Sequence, residues 1–214
     1  MREPVDAGIL KQRSNEKRAV LPSRFRGRGR HGYPGVHMTE YKGVASGILD
    51  GVELEVRCFP DPVLKKPAEP VEEFDEELAD FVARMRVAMQ THDGVGLAAP
   101  QVGVSRRIAL VEYDGQFFVL INPRLLEQRG EQMGEEGCLS FPGIYAEVKR
   151  PSWVRVEARD ERGELRVHEV EDFLARAFLH EMDHLDGKLF IDYLSPIKRG
   201  MIRTKMRKRA AAAR

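Results

Sequence analysis

The chain has 214 residues, 42% of them hydrophobic and 32% charged. That suits one compact domain with tails, and no apolar run approaches the roughly 18 residues of a membrane span. The formal net charge of +1 hides an asymmetry, because residues 1–37 hold nine Lys/Arg against three Asp/Glu and residues 198–214 hold eight Lys/Arg and no acid, leaving an acidic body between two basic ends.

Residues 1–50 read as a basic, disordered N-terminal extension. Gly, Pro and Arg follow in irregular order, as in RFRGRGRHGYPG, with no apolar period. It lacks the apolar stretch of a secretory signal. It is Arg-rich like an organellar transit peptide, although Glu3, Asp6, Glu16 and the scarcity of Ser argue against one, and Met38 offers a second start. With only Cys58 and Cys138, no multi-bridge framework is available, so a reducing, cytoplasmic location of bacterial type is expected, with organellar targeting by 1–37 as the alternative.

Globular signals begin near Leu54, and residues 51–196 form the expected catalytic domain. Phe74, Leu78, Phe81, Val82, Met85, Ala88 and Met89 recur at three- and four-residue steps, which predicts an amphipathic helix over 74–91 with acids in its first turn. Residues 106–113 and 117–122 predict two strands joined by Asp114-Gly115. Residues 153–158 and 164–170 predict a second hairpin across 160–163. A helix is expected over 172–186, with Asp172 as N-cap and Gly187 just past its end. Residues 197–214 predict a basic C-terminal helix or tail after Pro196.

The central chemical signal is His180-Glu181-Met182-Asp183-His184. Residues i and i+4 stack on one helix face, so both imidazoles can reach one metal ion with Glu181 beside its open position. Phe173, Ala177, His180 and His184 share that face, and histidines on an apolar stripe are costly unless paired or ligated. The plainer alternative is two core histidines satisfied by hydrogen bonds. A metal needs a third ligand. No Glu follows Glu181, and Asp183 and Asp186 sit at the wrong helical phase. Upstream, Cys138 in Glu136-Gly-Cys-Leu-Ser140 offers a thiolate; alone it would read as a buried free thiol, and beside the histidine pair it reads as a ligand.

Gly94-Val-Gly-Leu-Ala-Ala-Pro-Gln101 is the third element. Its glycines permit close approach of another chain, its alanines imply tight packing, and Gln101 supplies a neutral amide donor. A nucleotide-binding loop is disfavoured, because a third Gly and a Lys-Ser/Thr pair are missing.

In this order, GVGLAAPQ, EGCLS and HEMDH resemble the three signature motifs of the peptide deformylase family. FPDPVLKKPAEPV, INPRLL, PGIYAEVKRP and HLDGKLFIDYLSPIKR extend the likeness over residues 54–205, and the 1–37 extension departs from it. The resemblance implies an α+β fold, with antiparallel sheets around a central metal-binding helix plus a C-terminal helix. It implies removal of the N-formyl group from the initiator formyl-methionine of nascent polypeptides, releasing formate. Cys138, His180 and His184 would hold one divalent ion per chain, Fe2+ by expectation, with Zn2+, Ni2+ or Co2+ as substitutes. Glu181 would move the proton, and the Gln101 amide and the Leu139 backbone N–H would meet the oxyanion.

Val95, Gly96 and Gly137 are candidates to pair with the substrate backbone, and Val95, Leu97, Phe173 and Ala177 to wall the methionine pocket. Asp183 and Arg150 read either as supports of the site or as ordinary charges. The basic C-terminal segment is expected to dock on ribosomal RNA near the nascent-chain exit, and a monomer without membrane contact is expected. Two other functions fit parts of the pattern. A metalloendopeptidase would need a downstream third ligand, and a binding module with a structural metal would be indifferent to Glu181→Ala.

Overall fold

The computed structural model describes residues 54–212, so the expected extension over 1–50 lies outside the described residues. The first helix, α1 (Glu76–Thr91), is capped by Asp75, whose carboxylate accepts from the Leu78 N–H at 2.9 Å. Because Asp75 takes the cap, Phe74 stays outside the helix, which begins two residues after the predicted start. Leu78, Phe81, Val82, Met85, Ala88 and Met89 are all buried, as their spacing requires.

One antiparallel sheet forms the body, in the order β1-β2-β3-β6-β7. Its strands are β1 (Gly96–Ala98), β2 (Ile108–Tyr113), β3 (Gln116–Arg129), β6 (Trp153–Arg159) and β7 (Leu165–Glu171). Asp114 and Gly115 both take positive φ (49° and 74°), which joins β2 to β3 with the twist a tight hairpin needs. Strand β3 runs seven residues past its predicted end at 122. The pairing register with β6 shifts between Ile121 and Arg124, where Pro123 can donate no hydrogen bond, so the strand continues beyond an irregularity that reads in sequence as a stop.

Three strands are not predicted by the sequence: the short β1, and β4 (Gln132–Gly137) and β5 (Tyr145–Arg150), which form a separate two-stranded sheet. Gly and Glu dominate β4, and neither type favours strands intrinsically; pairing and burial decide here.

The second long helix, α2 (Asp172–Leu185), follows β7 directly. Asp172 is not its N-cap. That position belongs to Glu171, which makes no side-chain cap bond, and Asp172 turns the chain with φ 50°. Gly187 stands where expected, left-handed at φ 69°; a Cβ there would lie 2.8 Å from the Lys65 carbonyl oxygen.

The inner strands are apolar on both faces because a helix covers each one. Leu97, Ile108, Leu110 and Ile121 pack with α1, while Ala98, Ala109, Val111 and Leu120 pack with Phe178 and Leu185 of α2. A third cluster gathers Phe59, Leu64, Phe141, Ile144 and Phe190 with Met206 of the C-terminal helix, α3 (Pro196–Ala212). Arg203 pairs with Asp192 at 3.1 Å and Arg209 donates to the Pro142 carbonyl at 2.7 Å, while Ile197 and Met201 stay exposed at 77% and 69%. The architecture is the expected α+β fold with antiparallel sheets about a central helix. No described helix is long and apolar enough to cross a membrane.

Candidate metal centre and catalytic site

Helix α2 places His180 and His184 one turn apart, with ring centroids 5.0 Å apart. Cys138 enters from the end of β4, and its sulfur lies 3.2 Å from His184 Nε2. One ligand atom each from Cys138, His180 and His184 falls within 4.8 Å of the other two. Among the described residues no other such group of His, Cys, Asp or Glu occurs.

The surrounding groups prepare these three as ligands. His180 Nδ1 donates to Glu136 Oε2 at 3.0 Å, which fixes the ring and leaves Nε2 to face the cluster. Burial, together with the positive charges of His180 and Arg150, pushes His184 well below its ordinary value and keeps it neutral. Its Nδ1 is buried with no partner. One sulfur and two imidazole rings suit a divalent transition ion of intermediate softness, so the residues present fit a metal.

Glu181 is buried beside the cluster, and its Oε2 has no partner. Burial pushes its carboxyl up to about 7; Glu136 and Asp183 add to the rise and His180 opposes it. Gly96 of β1 lies directly against this carboxylate, and a Cβ at 96 would strike Glu181 Oε1. Gln101 is buried in a 3-10 turn over Ala99–Val102. Its Oε1 accepts from the Ala98 N–H at 2.8 Å, which aims Nε2 at Ser140 Oγ (3.3 Å) and Cys138 Sγ (3.5 Å). The Leu139 N–H meets no backbone acceptor among the described residues. Gly137 ends β4, with the Tyr145 ring lying across it.

The pocket candidates separate. Leu97 has no accessible surface and belongs to the α1 core, so it walls no open cleft. Val95 and Ala177 are half-buried. Phe173 is 41% exposed and rests on Tyr113 with centroids 4.5 Å apart, so it does not continue the core-facing stripe expected of α2.

Arg150 and Asp183 are not surface charges. Both are buried, and Arg150 bridges Glu136 (2.8 and 3.0 Å) to Asp183 (2.6 Å). Tyr193 donates to the same Asp183 at 3.0 Å and lies under the Arg150 guanidinium. Burial acts to raise Glu136, but hydrogen bonds from His180 and Arg150 outweigh it and hold the carboxyl at about 2. The role of Glu136 was missed in sequence. The only signal was its place in the motif, two residues before Cys138.

These features agree with relatives. The polypeptide deformylase family model matches residues 53–200. The chain belongs to the polypeptide deformylase family. Peptide deformylase of Thermotoga maritima is 47% identical over 152 residues, covering 71% of this chain and 93% of that protein. Peptide deformylase 1 of Bacillus cereus is 51% identical over 139 residues, covering 64% and 89%. The crystal structure of a peptide deformylase from Legionella pneumophila superposes with a TM-score of 0.72 at 42% identity, covering 76% of this chain and 99% of that one.

Proposed function

We propose that this deformylase-family chain hydrolyses the N-formyl group from the initiator formyl-methionine of nascent polypeptides and releases formate. The observation that carries the proposal is the meeting of Cys138, His180 and His184 beside a buried Glu181. A divalent ion held by those three residues, Fe2+ by expectation with Zn2+, Ni2+ or Co2+ as substitutes, would supply Lewis acidity and make water acidic near neutral pH. With its carboxyl at about 7, Glu181 is suited to take a proton from water and return it to the leaving amine. Gln101 Nε2 and the Leu139 N–H flank Cys138 and can donate to the formyl oxygen as charge develops there. Losing one such donor lowers rate by about 100- to 1,000-fold.

The peptide has a place to pair. β1 is an edge strand, and β4 is bonded only to β5, so Val95, Gly96 and Gly137 border free strand edges. An extended substrate can add there as a strand.

Formate release from formyl-Met-Ala-Ser, with and without chelator, tests the reading. Glu181→Ala should keep the metal and lose turnover, and Cys138→Ala should lose the metal. Full activity in the Glu181 variant sinks the mechanism, and cleavage of unformylated peptides would point to an endopeptidase. We also infer that α3 meets ribosomal RNA through its exposed lysines. The triple variant K198E/K205E/K208E should bind ribosomes more weakly and with a shallower salt dependence; unchanged binding removes the inference.

A further inference from the structure

We propose that Arg176 is a positioning residue: it holds Glu136 against His180 and so fixes the direction in which His180 presents its ligand nitrogen. The inference rests on the metal-holding reading of Cys138, His180 and His184 given above.

Arg176 lies one helical turn before His180 on α2, so both side chains leave the same face. Both reach Glu136. Arg176 Nη1 donates to Glu136 Oε1 at 2.8 Å, and His180 Nδ1 meets Oε2 at 3.0 Å. The same Nη1 donates to the Val148 carbonyl at 2.9 Å. The guanidinium therefore ties a carboxylate on β4 to the backbone of β5 while standing on the helix that carries the histidines.

Three observations set this apart from ordinary cross-linking. First, Arg150 already meets both Glu136 oxygens and also serves Asp183, so Glu136 would keep a bidentate partner without Arg176. What Arg176 adds is a second guanidinium against two buried carboxylates, which balances the charge of the shell around the ligands. Second, Arg176 Nη2 is buried with no partner. An unpaired buried donor costs about 1–3 kcal/mol, so stability alone gives poor reason to keep an arginine here. Third, the room it occupies depends on residue 134. A Cβ on Gly134 would stand 2.9 Å from Nη2, so a larger residue would push the guanidinium aside.

Lysine at 176 keeps the charge but replaces a planar fork with a point donor, so it separates position from charge. The test uses full-length protein, Co2+ as the probe and chelator competition, with the visible absorption of the bound ion as a second readout. Arg176→Lys should bind Co2+ about 10- to 100-fold more weakly, the range seen when groups that orient ligands are lost, and should shift the absorption band. Gly134→Ala should act in the same direction by a smaller factor. An unchanged Co2+ constant and spectrum in Arg176→Lys, even with a lowered unfolding temperature, would make Arg176 a structural cross-link and overturn the proposal. Should Arg176→Lys fail to fold, Gly134→Ala decides alone, and wild-type binding and spectrum there overturn it equally. A wild-type protein that takes up no Co2+ removes the metal reading and this inference together; equal binding by wild type and variant removes only the inference.

Discussion

Charge does opposite work in two regions of this molecule. Around Glu136, two carboxylates and two guanidiniums are buried together, each held by short, directed bonds. Along α3 the basic residues stand on the surface, and the helix is secured by Met206 in the core and by single contacts such as Arg203–Asp192. In the first region the groups are buried, and a lost partner leaves a charge stranded. In the second, solvent and salt weaken each pair, and the remaining charge is free to meet another molecule. The burial of a charge, more than the number of charges, decides whether it fixes geometry or advertises a surface.

The strongest way to break this contrast is to empty the centre of the buried shell. Glu136→Ala would leave Arg150 and Arg176 without their shared acceptor. Removing one member of a buried ionic group destabilises by about 3–5 kcal/mol. Denaturant unfolding of the metal-free protein should show a loss of that size, and a loss typical of surface pairs would mean that the shell is solvated.

The legibility of the sequence followed the same division. Elements with strong periodicity, α1 and the hairpin at Asp114-Gly115, were readable because local pattern and tertiary environment agree there. So was the histidine pair, since helix geometry alone sets its spacing, and Cys138 joined it through a motif. The shell behind the ligands was harder. Glu136 and Arg150 reach it from the two strands of a small sheet that was not readable from its residues, and only the fold brings them to Arg176. Asp172 misled because an acid at a helix start usually caps, whereas here a strand runs into the helix without a linker. Leu97 misled because a motif residue beside the site can still face the opposite core.

A smaller effect is expected where the buried region is tight without being ionic. Gly96→Ala would drive a methyl group into the Glu181 carboxylate. Displacing a proton-transfer group by about 1 Å can lower rate by about 100-fold. Turnover should fall by about that factor at unchanged metal content; an intact rate would show that Glu181 can move without consequence and that the close approach of β1 is only packing.

The smallest effect belongs to the surface helix. Asp192 receives Lys65 at 2.7 Å and Arg203 at 3.1 Å, and its carboxylate also caps the turn at Leu189 (3.1 Å). Asp192→Asn retains an oxygen for the Leu189 N–H, removes the charge and turns an NH2 toward Arg203 in place of an acceptor. Exposed pairs contribute about 0–1 kcal/mol, so Asp192→Asn should lower stability within that range. The loss should shrink further at high salt, where the wild-type pairs are screened already. A loss of several kcal/mol that salt does not touch would place Asp192 with the buried shell, and α3 would then be as rigidly fixed to the body as α2.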